Sequence, residues 1–390
     1  MVAGMLVAGI AASIFVGFNI GGSSTGIAWG PAVGAGLIRK ATAAGIMTFF
    51  VFLGGWTVGR NVIDTLSEGI ITIEISLSAG IAILFFIGLG ILLANVFGVP
   101  VPTSMTTVGA IAGLGLATNS LNYQTVVWII SWWIFAPIAG FWIGATIGRY
   151  VYPALSRRVQ IENSDGPLIV LDRDGAVPRP VLGPNTTWRE VATTAVVIVT
   201  GCYMAFSAGA SNVPNAAAPL VSGGALTAGP AIVIATFAIG LGGFTIARRT
   251  MESVGSDLSD ITLLAALIVM ITAATITTAL SYIGIPISLV MASVMAIVGL
   301  GWGRATRPIT AREALVGETE STEIVPGALT VEDEHEELPP IGEPEPEEVL
   351  EADELFRPQA VIRYVSMWII GPSMSTVLAY GFFLLVPGIT

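Results

Sequence analysis

The chain has 390 residues, of which 54% are hydrophobic and only 11% charged, with a mean hydropathy of +0.82. A soluble chain carries about 25% charge, so this composition excludes a soluble fold and requires much of the surface to face lipid. The net charge of −11 sits in loops, and fifteen arginines stand against the single Lys40, a balance that suits a halophilic archaeon's salt-bathed loops. Lone Cys202 and lone His335, the latter inside an acidic run, leave no disulfide framework, thiolate metal cluster or histidine-based catalysis.

A bilayer-crossing helix needs about 20 apolar residues. In the first half the candidate segments are 2–18, 26–37, 42–59, 76–97, 102–118 and 125–149. In the second they are 190–208, 214–227, 230–247, 260–282, 286–302 and 361–387. The segments at 26–37 and 214–227 are too short to cross and are expected to be half-helices or re-entrant pieces. The resulting organisation is a first transmembrane repeat at 1–153 and a polar linker at 154–188. The main part of a second repeat at 189–302 follows, then an acidic, proline-rich loop at 303–358 and a last span at 359–390. Within the linker, Leu168–Leu171 and the turn residues after it predict a short hairpin.

The two halves repeat each other. Residues 54–66, beginning Gly54-Gly55-Trp56-Thr57, recur at 242–254 as Gly242-Gly243-Phe244-Thr245, a register shift of 188. The block Gly98-Val99-Pro100-Val101-Pro102 answers to Gly284-Ile285-Pro286-Ile287-Ser288, a shift of 186. Ser131-Trp132-Trp133 through Pro137 answers to Ser366-Met367-Trp368 through Pro372, a shift of 235 across the acidic insert. Hydrophobic proteins made of two such halves commonly form a pathway between them, with the substrate where the halves meet.

Polar residues inside a membrane mark pathways because they are costly there. One cluster, Asn19, Ser23, Ser24 and Thr25, follows the first span. Its partner, Ser211, Asn212 and Asn215, follows the seventh. Thr103, Ser104 and Ser288 stand at the first turns of spans opened by proline motifs, with Thr106 and Thr107 extending that polar face. A helix N-terminus offers unpaired N–H groups and about half a positive charge, which suits an anion. Asn19, Asn212 and Asn215 are candidate neighbours of a Na⁺ ion. Asp64, Glu68 and Glu74, near Arg60, read as surface ion pairs. No Walker motif, dinucleotide fingerprint or metal-ligand spacing is present.

These motifs, in this order, resemble the PiT family of inorganic phosphate transporters across both hydrophobic halves. The resemblance rests on the Gly242–Gly255 stretch, on Asn19 and Asn215 within Gly-x-Asn-Asp-x-x-Asn-type motifs, and on Thr103, Ser104 and Ser288 within Pro-Val-Ser-Thr-Thr-His-type motifs. Ile20 stands where the first aspartate falls, Ser211 and Asn212 replace the second Asn-Asp pair, and Met105 replaces the histidine.

The resemblance implies an all-α integral membrane protein of two inverted repeats, about six hydrophobic segments each, with broken or re-entrant half-helices at the centre. It implies a multi-pass cell-membrane transporter, not an enzyme, that moves phosphate with Na⁺ or H⁺ and needs no other cofactor. Sulfate transport, or a non-transporting anion sensor, is the alternative. The expected partners are the oxyanion, lipid and a second copy in a homodimer, with no nucleic acid.

Overall fold

The computed structural model describes residues 2–96, 102–156, 169–172, 179–183, 186–245, 263–306 and 358–389. Helix α1 (Val2–Gly34) leads to α2 (Lys40–Trp56), which bends by 60° into α3 (Gly59–Asp64) and a π-turn at Thr65–Gly69. Helices α4 (Leu77–Val96), α5 (Thr103–Ala117), α6 (Tyr123–Thr146) and the short α7 (Tyr152–Ser156) complete the first half. Strands β1 (Ile169–Asp172) and β2 (Arg179–Leu182) pair antiparallel, Ile169 opposite Leu182, as the linker sequence predicts. The second half holds α8 (Trp188–Ser222), α9 (Ala228–Thr245), α10 (Leu263–Tyr282), α11 (Leu289–Ala305) and α12 (Pro358–Leu385). Residues 246–262 and 307–357, with Arg248, Glu252, His335 and most of the acidic insert, lie outside the described residues.

Among the described residues, six helices are long and apolar enough to cross a membrane, or seven if the bent α2–α3 pair is one span. The chain is thus a nearly all-helical, multi-pass membrane protein.

The breaks fall elsewhere than the sequence suggests. Segments 2–18 and 26–37 are one 33-residue helix, and segments 190–208 and 214–227 are one 35-residue helix. Helix α8 continues through Pro214 and Pro219, and α1 through Pro31. Without water to take up freed amides and carbonyls, an apolar bundle favours an unbroken hydrogen-bond ladder over a Gly-Ser or proline interruption. The undersized helices are instead α5 and α11, of 15 and 17 residues, each entered from extended backbone at Pro102 and Ser288.

The halves exchange partners reciprocally. Helix α1 packs on α9 and α2 on α8, while α5 packs on α12 and α6 on α11. A Cβ at Gly54 would overlap the Phe206 carbonyl, and one at Gly242 would overlap the Phe18 carbonyl. Phe18 and Phe206 are themselves 188 residues apart, the register of the sequence repeat. The same relation holds for Gly21 against Ile239 and Gly209 against Val51, and for Gly113 against Thr376 and Gly299 against Phe141. In lipid, helices gain little from apolar burial against each other, so close glycine–carbonyl packing carries the association.

The long helices cross antiparallel at the centre. The Ser13 hydroxyl donates to the Ala216 carbonyl at 2.8 Å, while Trp29 lies against Gly201 near their other ends. The two repeats are therefore inverted. The core around this crossing includes Val16, Ile20 and Trp29 of α1, Ile83, Ile87 and Ile91 of α4, and Met204, Val213 and Leu220 of α8.

Candidate functional site

The N-terminus of α5 meets the middle of α8 in a buried polar cluster that joins the two halves. Pro102, the residue before α5, is extended and has no side chain able to cap the helix. The first helical bond at this end runs from the Thr106 amide to the Pro102 carbonyl at 3.1 Å. The amides of Thr103, Ser104 and Met105 therefore precede the i→i−4 ladder. The end carries about half a positive charge in an apolar surround.

Side chains from both repeats converge here. The Thr103 hydroxyl donates to Asn212 Oδ1 at 2.8 Å. Asn215 Nδ2 donates to the hydroxyl oxygens of Thr103 and Ser104, each at 3.2 Å. The Ser104 hydroxyl reaches the Ile287 carbonyl at 3.1 Å and the Ser211 carbonyl at 3.5 Å. Ser104, Ser211 and Asn215 are fully buried, and Thr103 and Asn212 nearly so. Every one of these side chains is neutral. Ser288 caps α11, its hydroxyl accepting from the Met291 amide at 3.4 Å. The extended segment before it is pinned by the Trp133 indole, which donates to the Pro286 carbonyl at 2.8 Å.

Of the residues singled out from the sequence, Thr103, Ser104, Ser211, Asn212 and Asn215 are brought together. Ser288 follows directly on Ile287, whose carbonyl belongs to the cluster. Thr106 and Thr107 turn their hydroxyls back to the Pro102 and Thr103 carbonyls at 3.3 and 3.0 Å. Asn19 is buried on α1, where its Nδ2 donates to the Phe15 carbonyl at 2.8 Å. Ser23, Ser24 and Thr25 lie on α1, but their side chains are outside the described residues.

The reciprocal glycine contacts correct the pairing of the two polar clusters. Gly21, not Gly17, is the counterpart of Gly209, so Ser23, Ser24 and Ile27 answer to Ser211, Asn212 and Asn215. Asn19 answers to Ser207, whose hydroxyl donates to the Ala274 carbonyl of α10 at 3.1 Å. On the other motif, Thr103 and Ser104 answer to Leu289 and Val290. Arg60 is also corrected: it lies over the Trp56 ring at 4.4 Å and donates Nε to the Trp56 carbonyl at 2.8 Å rather than pairing with Asp64 or Glu68.

Sequence reading missed Ser207, the Ile287 carbonyl, and Thr277 and Ser281 of α10, the last two fully buried. For Thr277 and Ser281 a signal existed, two hydroxyl residues four apart in an apolar helix. Nothing in the sequence marks a backbone carbonyl.

Inverted helical repeats that enclose a buried, neutral polar cluster where the halves meet define a class, the multi-pass membrane permeases. The chain belongs to the phosphate transporter family PHO4, whose family model matches residues 20–379. It is 31% identical over 302 residues to the sulfate permease CysP of Bacillus subtilis, covering 77% of this chain and 78% of that one. A Pyrococcus furiosus protein provisionally named a phosphate permease is 24% identical over 367 residues, covering 76% and 88% of the two chains. A solved structure titled "The sodium-dependent phosphate transporter" superposes with a TM-score of 0.69 at 19% identity, over 99% of this chain and 100% of that one. That likeness establishes the fold.

Proposed function

We propose that the protein is a secondary transporter that carries inorganic phosphate across the cell membrane by alternating access, with a cation in symport. The observation that carries this reading is the cluster of Thr103, Ser104, Asn212 and Asn215, where the short α5 of one half abuts the long α8 of the other. Substrate oxygens at this point would meet the leading amides of α5 and the Thr103 and Ser104 hydroxyls. Taking those donors would replace the Thr103–Asn212 and Ser104–Ile287 bonds that tie the halves together. Each such bond is worth about 1 kcal/mol net, small enough for binding to bias the halves toward a second arrangement. No covalent step is needed; rocking of one repeat against the other would expose the site to each side in turn.

Sulfate is the second reading, and two observations favour it. Phosphate near neutral pH retains a P–OH proton that a carboxylate acceptor would recognise, and this cluster is neutral throughout. The 31% identical relative is itself named a sulfate permease. Uptake of labelled phosphate and sulfate into proteoliposomes, with and without Na⁺ or pH gradients, tests both. Gradient-driven phosphate uptake supports the first reading and sulfate uptake without phosphate uptake the second. Flux of neither anion, with binding retained, would point to the sensor.

A further inference from the structure

The connector between α10 and α11, residues 283–288, brings the Ile287 carbonyl into the polar cluster, where it accepts the Ser104 proton at 3.1 Å. Its turn is set locally. The amides of Gly284 and Ile285 close α10 on the Ser281 and Leu280 carbonyls at 3.0 and 2.9 Å, and Gly284 has φ +80°, a conformation that favours glycine. The connector is then gripped by two donors from the other half of the chain. Asn61 Nδ2 on α3 donates to the Tyr282 carbonyl at 2.6 Å. The Trp133 indole on α6 donates to the Pro286 carbonyl at 2.8 Å. Ile285 and Ile287 are buried with Ala136 and Leu280 in a small apolar cluster, and the Trp133 ring packs against it.

These grips bear on the chemistry of Ser104. Its hydroxyl has one proton, and the Ile287 carbonyl is nearer than the Ser211 carbonyl, which lies at 3.5 Å. An oxyanion that takes this proton leaves the Ile287 carbonyl without that donor, at a residue only 1% exposed. A buried acceptor stripped of its partner keeps its full desolvation cost unless it can turn to another donor. A connector fixed at the Tyr282 and Pro286 carbonyls has little room to turn. The Ile287 carbonyl therefore stays aimed at Ser104, opposing the anion's arrival and recapturing the proton as it leaves.

We propose that Trp133 and Asn61 are positioning residues that set the oxyanion affinity of the station. By clamping the α10–α11 connector they hold the Ile287 carbonyl as a fixed rival for the Ser104 proton, which weakens binding and hastens release. Both act through Ile287 and Ser104 rather than on the anion. The inference rests on the reading of the cluster as the oxyanion station. Trp368 supplies an internal control. It is the counterpart of Trp133 in the sequence repeat, and its indole nitrogen is buried without a hydrogen-bond partner. Exchanging it for phenylalanine removes the same volume but no hydrogen bond.

The test is calorimetric binding of phosphate and of sulfate to the purified full chain, together with uptake rates in proteoliposomes. The variants are Trp133→Phe, Asn61→Ala and Trp368→Phe. Loss of a clamp frees the Ile287 carbonyl to find another partner. Trp133→Phe is therefore expected to bind the anion about fivefold tighter, with its maximal uptake rate lowered by a similar factor. Asn61→Ala, at an exposed position, shifts both in the same directions, and Trp368→Phe changes neither. In a Ser104→Ala background the contested proton is gone, so adding Trp133→Phe should no longer alter affinity. A merely loosened fold would weaken binding instead. Unchanged or weaker binding in Trp133→Phe, an equal shift in Trp368→Phe, or a shift that survives in the Ser104→Ala background would overturn the proposal. If Trp133→Phe does not yield folded protein, the same outcomes are read from Asn61→Ala. A wild type that binds neither anion would remove the station reading and this inference with it, a result distinct from all the others.

Discussion

The two halves share a scaffold but differ in residue type where α5 meets α8 and at the counterpart positions. Phe18 against Gly242 and Phe206 against Gly54 are the same contact made twice, as are Gly21 against Ile239 and Gly209 against Val51. At the stations these contacts support, symmetry ends. Where the second half's long helix carries Asn215, which meets Thr103 and Ser104, the corresponding residue in the sequence of the first half is Ile27, and the residues answering to Thr103 and Ser104 are Leu289 and Val290. The reason is physical. A glycine pressed against a carbonyl has no substitute of equal size, so the packing framework resists change in both copies. A polar station is costly to keep buried, so packing alone does not preserve a second copy of it.

The comparison can be broken or sharpened by substitution. The largest effect is expected for Asn215→Leu, which removes two inter-half hydrogen bonds and leaves the Thr103 and Ser104 hydroxyls without their donor. At about 1–1.5 kcal/mol per bond, anion uptake in proteoliposomes should fall by about a hundredfold. Thr103→Val keeps the shape and removes one donor, so an uptake loss of about tenfold is expected, read as a rise in half-saturating anion concentration. If Thr103→Val transports normally, the polar station is structural.

The scaffold makes its own claim. Gly54→Ala and Gly242→Ala each force a Cβ onto a carbonyl, at a cost of about 1–3 kcal/mol for overpacking. Thermal unfolding in detergent should show matched losses for the two, because the contacts are copies; a loss at only one position would deny the reciprocal packing. The smallest effect is expected for Leu289→Thr, which places a threonine at the counterpart of Thr103. A threonine here can satisfy its hydroxyl on a carbonyl of its own helix, so uptake should change by less than about twofold.

The duplication, the span-forming segments, the linker hairpin and the five residues that meet where α5 abuts α8 were legible in the sequence. These features depend on residue type and order, which survive without coordinates. The location of the helix breaks was not. Gly21-Gly22-Ser23-Ser24 has the composition of an unwound turn, yet α1 runs through it. In a bundle interior the hydrogen-bond ladder outweighs local preference. The pairing of Asn19 with Ser211 failed because short Gly-Ser-Asn strings align in more than one register. Only the carbonyl that each glycine touches distinguishes a shift of 188 from one of 192. The Ile287 carbonyl was invisible because any residue supplies the same atom.

Equilibrium binding of phosphate and of sulfate to the purified chain, measured by calorimetry on the wild type and Thr103→Val, tests the central claim most directly. One working station predicts a single oxyanion bound per chain, with affinity reduced by about tenfold in Thr103→Val. Two oxyanions per chain, or binding that Thr103→Val leaves unchanged, would contradict it.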